Sequence, residues 1–384
     1  MTFKKSFSLK NITNNRISWI DGLKGLAMLL ILMMHTGSDK GIDLFSMYAD
    51  KFFLRLGGNG WIGVVLFFLL SGFLSYHSLY AYIKNSDYSL RNVTAWVKHK
   101  FIRFIPLFYF AVFVGFFWHE HYLWLGSLGY PKIQNLIINL LFIQGFFPNY
   151  CANILGIEWY VGILAIFICL VPFIFKIVNS LNKSLVLFAI SVVITYFMKQ
   201  YLNSLTPVGI HLPVYKNFVN AFSIVENFST LCLGIVLFYV YQSIKNISIP
   251  YKTSVSYILM MVSFVLLYQN LYAQSTFLLM NTHTVWALCF AFLIISQMIH
   301  ENFLICNALF KFIGRYSWPI YLFHFFLIDL YRKNIAVKTV YPMADWVIEF
   351  VFIVVCCCLL SFVLTKYIDR PLISFLSRHS NAHK

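Results

Sequence analysis

The chain has 384 residues, of which 60% are hydrophobic and only 11% are charged. A soluble domain carries about 25% charged residues, and a soluble core of this length could not bury so much apolar surface, which excludes a water-soluble protein. Runs such as AMLLILMM and VFIVVCCCLL lack the alternation of a transmembrane barrel, so the expected fold class is all-α, a polytopic membrane helical bundle.

The apolar stretches predict the number of membrane crossings, because a helix needs about 20 residues to span the hydrocarbon core. A dozen residues at Leu136–Phe147, closed by Pro148, are too few to span and predict a short interfacial or re-entrant helix near 136–147. The stretches that are long enough predict about ten transmembrane helices, at 19–38, 60–82, 101–118, 157–175, 184–202, 226–243, 254–272, 277–298, 315–331 and 344–366.

The basic residues predict the orientation. The formal charge of +16 would suggest nucleic acid in a soluble protein, but in a membrane protein it indicates the positive-inside rule, and no nucleic acid partner is expected. With ten spans and a cytoplasmic N-terminus, most Lys and Arg fall in cytoplasmic segments. Both termini are therefore predicted to be cytoplasmic, with an N-terminal segment at 1–18, a single transmembrane domain at 19–374 and a tail at 375–384.

The first span carries three ionisable residues, Asp21, Lys24 and His35. Such residues are costly inside a membrane and are functional candidates by default. Lys24 and His35 are eleven residues apart, so they share a helix face and lie roughly 16.5 Å apart along the axis. Asp21 is within pairing distance of Lys24. The alternative is that Lys24 only snorkels to the headgroups and that His35 is an ordinary interfacial histidine.

Polar groups recur at three later places. Ser71 lies deep in an apolar stretch, where a small residue usually indicates helix packing. Lys100 and Arg103 precede Pro106, which is taken to mark a helix start, and they could face lipid headgroups or bind a diphosphate. His324 is expected in mid-span and facing other helices. No metal site is predicted, because the sequence His-Glu-His at 119–121 lacks further ligands.

Taken together, these stretches resemble acyltransferase family 3, over about residues 20–374. Each motif is weak alone, but five in the same order make a strong case. The motifs that carry the resemblance are Asp21-Gly22-Leu23-Lys24-Gly25 followed by His35, Phe67-Phe68-Leu69-Leu70-Ser71-Gly72-Phe73, Lys100 with Arg103 and Pro106, Ser317 to Tyr321-Leu322-Phe323-His324, and Asp369-Arg370-Pro371.

The resemblance implies a multi-pass enzyme of the cytoplasmic (inner) membrane. It is expected to move an acyl group, with acetyl from acetyl-CoA as the expected case, from cytoplasmic acyl-CoA to a hydroxyl of an extracytoplasmic glycan or lipid-linked sugar. No metal is implied, and the surrounding lipids are further partners. His35 would be the general base, with Lys24 and Asp21 beside it on the first helix. The residues expected to bind the donor are Lys100, Arg103, Ser71, Arg315 and Arg370. Those expected to bind the acceptor are Tyr321 and His324.

One position departs from the family pattern. The family has a Glu five residues after the Trp that corresponds to Trp159, and here that position is Leu164. Glu158 lies six residues earlier, about 600° away around the helix, and cannot replace that carboxylate without a shift. Two alternatives to an active enzyme therefore stay open, an inactive relative that only binds and a transporter or flippase, whose fold would also place polar groups at mid-membrane.

Overall fold

The computed structural model describes residues 17–39, 42–43, 51–84, 87–118, 132–273, 279–336 and 341–382. Within these ranges the regular structure is helical except for one antiparallel pairing of two-residue strands, β1 (Ser38–Asp39) and β2 (Ile42–Asp43). The predicted all-α class is confirmed.

The helices follow one another along the chain with mostly short connections. Two π-helical segments, Phe218–Phe222 and Thr365–Asp369, continue directly from the helices before them. The α-helices are α1 (Ser18–Gly37), α2 (Phe52–Gly58), α3 (Ile62–Ile83), α4 (Leu90–Phe117), α5 (Ile133–Leu140), α6 (Glu158–Ile177), α7 (Leu181–Ser204), α8 (Leu212–Asn217), α9 (Ile224–Ile244), α10 (Lys252–Ala273), α11 (Thr282–Ile299), α12 (Ala308–Arg315), α13 (Ser317–Asn334), α14 (Pro342–Leu364) and α15 (Arg370–Ala382).

Nine of the ten predicted spans correspond, among the described residues, to helices long and apolar enough to cross a membrane. The remaining one, 315–331, is α13, a helix of 18 residues. It carries three charged residues near its end, Asp329, Arg332 and Lys333, and is therefore more polar than the other nine. The bundle agrees with the prediction of about ten membrane helices, one of which is unusually polar.

Side-chain caps explain where several helices begin. A Ser or Asn side chain accepts a backbone N–H from the first turn of α4, α7, α9, α11 and α12, which satisfies one of the donors that a helix start leaves open. In α4 the cap is Ser89, so this helix begins at Leu90 rather than at 101. Pro106 therefore lies inside α4, and the expectation that it marks a helix start is wrong.

The interior of the bundle is formed by α1, α3, α9, α11 and α13, whereas α7, α10 and α14 are mostly exposed, as expected for helices that face lipid. α1 packs along α12 with the two backbones in contact. At this crossing a Cβ on Gly25 would overlap the carbonyl of Phe310, and one on Gly314 would overlap the carbonyl of Asp21. Only glycine permits so close an approach, which fixes the start of α1 against α12.

The segment predicted near 136–147 contains the eight-residue helix α5, which is about 12 Å long and too short to cross. After α5 the chain passes into the bundle, where the backbones of Gly145 and Gly162 meet. Asn139 and Gln144 are fully buried there, and Gln144 Nε2 donates to the carbonyl of Glu158 at 3.2 Å. The segment is short, as predicted, and enters the protein interior.

The end of the chain is also part of the bundle. α15 begins at Arg370, directly after the π-helical segment, and packs against α4. The predicted tail at 375–384 therefore begins within a helix that continues to Ala382. The predicted domain limits otherwise remain predictions.

Candidate active site

His35 meets a second histidine inside the bundle. It lies in the last turn of α1, and its ring centroid is 5.2 Å from that of His324 on α13 and 4.5 Å from that of Phe325. His324 is fully buried, whereas His35 is only partly buried. The two histidines therefore meet within the bundle, and His35 is the less buried residue of the pair.

The tautomer of His324 follows from its hydrogen bond. Its Nδ1 lies 2.7 Å from the carbonyl oxygen of Tyr321, and a carbonyl oxygen can only accept. Nδ1 therefore carries a proton, and in the neutral ring Nε2 is the basic nitrogen. The structure brings together His35 and His324, one predicted as catalytic and the other as acceptor-binding.

A series of polar side chains continues from this pair through the bundle. The Tyr321 hydroxyl donates to the carbonyl of Ile157 at 2.9 Å, and the Tyr321 ring lies 5.3 Å from that of Tyr160. The Tyr160 hydroxyl is 2.9 Å from Ser71 Oγ. We call this series, His35, His324, Tyr321, Tyr160 and Ser71, the polar ladder.

The polar ladder runs toward the end of the bundle where α1 begins. Phe73, two residues after Ser71, packs on Trp19 in the first turn of α1, with ring centroids 5.5 Å apart. Ser71, Leu74 and His77 are partly exposed, whereas Phe68, three residues before Ser71, is fully buried. One face of α3 is therefore accessible from Ser71 to the helix end.

Basic residues gather at this same end. Lys100 is partly buried, and its Nζ lies 5.3 Å from the centroid of the Trp96 ring. Its electrostatic neighbours are Arg103 and Lys24. We call the end of the bundle that carries Lys24, Lys100 and Arg103 the basic end. The predicted donor-binding residues Lys100 and Arg103 therefore lie toward the Ser71 end of the polar ladder.

The other predicted arginines lie at the periphery of this group. Arg103 and Arg370 are both exposed and both are electrostatic neighbours of Asp369, so part of their charge is already balanced. Arg315 is exposed at the end of α12, directly after the Gly314 that contacts Asp21. These arginines remain predicted donor ligands, with Arg315 beside the first turns of α1.

The two acidic residues noted in the sequence have local partners. Asp21 is buried in the first turn of α1, where a carboxylate is favoured by the helix dipole; its pairing with Lys24 stays a prediction. Glu158 is fully buried and accepts backbone N–H groups from Ile154 at 2.6 Å and Leu155 at 3.0 Å. Glu158 thus holds the segment before α6, while Leu164 is packed in the apolar core.

Two features of the site were not anticipated from the sequence. Arg332, for which the sequence indicates no role, donates from Nη2 to the carbonyls of His35 at 3.2 Å and Thr36 at 3.0 Å. Tyr160 had no assigned role, although it joins Ser71 to Tyr321. The signal that could have found Arg332 is its position on the same helix as His324, about two turns further along.

A helical membrane bundle with an internal histidine pair and a basic end defines the class of protein, a multi-pass membrane protein with polar chemistry in its interior. Compared with known families, residues 17–366 match the sequence model of acyltransferase family 3, which is described as an acyltransferase domain. The chain belongs to this family and is a membrane acyltransferase. Neither the curated proteins nor the solved structures contain a match. Among the described residues, no group of His, Cys, Asp and Glu side chains could hold a metal ion, and 119–121 lie outside them.

Proposed function

We propose that this acyltransferase moves an acetyl group from cytoplasmic acetyl-CoA to a hydroxyl of an extracytoplasmic glycan or its lipid-linked precursor, in the inner membrane. The observation that carries the proposal is the polar ladder, which extends from His35 toward the basic end, where Lys and Arg side chains suit phosphate. A donor with a phosphate-rich head and a thioester arm fits this arrangement, because Lys and Arg at the basic end can bind the phosphate oxygens while the arm extends along the polar ladder to His35.

The proposed chemistry is a direct transfer with His35 as the general base. His35 removes the proton from the acceptor hydroxyl as its oxygen attacks the thioester carbonyl. The new ester C–O bond forms, the C–S bond breaks, and the proton passes from His35 to the departing thiolate. His324, whose Nδ1–H is held by the Tyr321 carbonyl, stays fixed beside His35 and orients it.

Acyl content of the surface glycan tests the proposal. Cells that express the protein, cells that lack the gene and cells with His35→Ala are compared for ester-linked acetate, and purified protein is supplied with labelled acetyl-CoA. We expect label in the glycan only with the unchanged protein. Equal acetate in all three strains would overturn the proposal. Transport of the glycan without acetyl-CoA would favour a transporter, and donor binding without transfer would favour an inactive relative, a possibility raised by Leu164.

A further inference from the structure

A cavity of about 870 Å³ opens at the basic end of the bundle. It lies between the start of α1, the ends of α3, α9 and α11, and the segment 247–252. Ligand pockets are typically about 300–1,000 Å³, so this cavity is large enough for a nucleotide-sized molecule. None of the motif residues of the family resemblance lines it.

One wall of the cavity is aromatic. The Trp19 and Tyr241 rings are 6.3 Å apart, and the His77 ring is also 6.3 Å from Tyr241. His77 lies parallel to the ring of Phe73 behind it, with centroids 5.8 Å apart, which fixes its orientation. Trp19 is almost fully buried and supports the wall from behind, whereas His77 and Tyr241 are partly exposed. Partly exposed rings of this kind bind planar aromatic groups by stacking.

The rim of the cavity is basic. Lys245, Lys252 and His300 line it together with one acidic residue, Glu301. Glu301 Oε2 already pairs with Lys311 at 3.2 Å, so the two lysines are not balanced by this carboxylate. A ligand that suits both the wall and the rim combines a planar aromatic group with phosphates, as a nucleotide does.

The cavity also connects with the site described above. His77 has both Lys245 and Lys100 as electrostatic neighbours, and it ends the accessible face of α3 that begins at Ser71. α1 rises about 24 Å between Trp19 and His35. A molecule bound in the cavity therefore needs a long flexible arm to bring a reactive group to His35.

We propose that the cavity binds the nucleotide end of the acyl donor, with the adenine on the wall of Trp19, Tyr241 and His77 and the phosphates at Lys245 and Lys252. The arm then runs past Lys100 and along the polar ladder to His35. This assignment rests on the proposed function and extends it, because it places the phosphates at Lys245 and Lys252 instead of at the arginines predicted from the sequence, Arg103, Arg315 and Arg370.

Binding of adenosine 3′,5′-bisphosphate to purified protein in detergent tests the assignment without turnover. The double variant Lys245→Gln/Lys252→Gln should bind this probe at least tenfold more weakly. The matched control Lys183→Gln/Lys366→Gln also removes two exposed lysines and should bind it unchanged. Tyr241→Leu should weaken the bisphosphate but leave the affinity for inorganic pyrophosphate unaltered, because only the base contacts the wall. Equal affinity in both double variants would overturn the assignment.

Acetyl transfer is measured on the same preparations so that the two proposals can fail separately. A raised KM for acetyl-CoA in the Lys245/Lys252 variant, with kcat little changed, supports the cavity. Transfer with an unchanged KM in that variant would overturn the cavity and leave the proposed function standing. Binding of the bisphosphate that depends on Lys245 and Lys252, without transfer by any preparation, would overturn the proposed function and support the nucleotide site.

Discussion

His35 and His324 face each other but differ in burial, since His324 is fully buried and His35 is partly buried. A proton acceptor in transfer must touch the incoming hydroxyl, so His35 suits the role of base and His324 that of a positioning residue. Both histidines stood out in the sequence as ionisable groups within apolar stretches. Their pairing did not, because it depends on how α1 and α13 pack rather than on either helix alone.

Substitution of His35 tests its role directly. His35→Ala should lower acetyl turnover by roughly 10²–10⁴-fold, the range usually attributed to general acid–base catalysis, with normal insertion and a normal elution profile. His211→Ala, which removes an exposed histidine before α8, is the matched control and should retain full turnover. Near-wild-type turnover by the His35 variant would exclude it as the base.

The hydroxyl pair of Ser71 and Tyr160 tests whether transfer is direct. If the pair only orients the donor, Ser71→Ala and Tyr160→Phe each lose one hydrogen bond, worth about 0.5–1.5 kcal/mol and so at most roughly tenfold in turnover. The double variant should be no worse than either single one, because all three lose the same bond. A loss far beyond tenfold in Ser71→Ala alone, with an acetylated Ser71 in the unchanged protein by mass spectrometry, would instead indicate a covalent intermediate.

At the scale of helices, the end of α1 is held by α13 and α14. Arg332 donates from Nη2 to the last carbonyls of α1 and from Nε to Glu349 Oε1 on α14 at 2.8 Å. A cation at a helix C-terminus is favoured by the helix dipole. Trp346 Nε1 also donates to Thr36 Oγ1 at 3.2 Å. These contacts fix the last turn of α1 and with it the direction of the His35 side chain.

Arg332 is accordingly predicted to be a positioning residue. Arg332→Lys keeps the positive charge but loses the planar guanidinium group and its several N–H donors. The variant should lower kcat by roughly tenfold, as expected for loss of a charge-assisted hydrogen bond. The KM for acetyl-CoA should not change, because the proposed site of the nucleotide is at the other end of the bundle. Lys333→Gln alters the exposed neighbour and should leave kcat intact. A fall in thermal stability with an unaltered kcat would assign Arg332 a purely structural role.

Hydropathy located the membrane helices but not all of their limits. The start of α4 was missed by eleven residues because the segment from Leu90 onward is too polar for hydropathy to include it in a span, although Ser89 caps the helix there. Trp96 is buried there, and its Nε1 donates to Ser78 Oγ on α3 at 3.3 Å. A contact of this kind joins two helices and cannot be recognised from the sequence of either helix alone. The basic residues at Lys100 and Arg103 are therefore carried by a continuous helix.

At the scale of the whole molecule, the sequence predicts the fold class because a membrane admits few solutions for backbone polar groups. Which helices pack against each other is harder to predict from the sequence, because small residues such as Gly25 and Gly314 determine which backbones come into contact. The short segment around α5 was recognised by its length alone. Its path into the interior depends on Gln144 and the carbonyl of Glu158, which no local pattern reveals.

Orientation in the membrane is the remaining prediction for the whole molecule. With a cytoplasmic N-terminus, the basic end and the segment between α9 and α10 face the cytoplasm, as their lysines favour. Ser248 is exposed on that segment, beside the cavity proposed for the nucleotide. Ser275→Cys, between α10 and α11, lies outside the described residues and is predicted on the opposite side. In intact cells a membrane-impermeant thiol reagent should label Ser275→Cys and spare Ser248→Cys.

Native Cys151 sets the background of this experiment. Its Sγ is buried near the carbonyl of Pro148, and burial raises the pKa of its thiol, so it should react slowly; Cys151→Ser in both variants removes what remains. If the reagent labelled Ser248→Cys and spared Ser275→Cys, the second half of the chain would have the opposite orientation in the membrane. The segment around α5 would then have to count as a crossing. The cavity beside Lys245 would then face away from cytoplasmic acetyl-CoA, and a donor could no longer enter from the basic end.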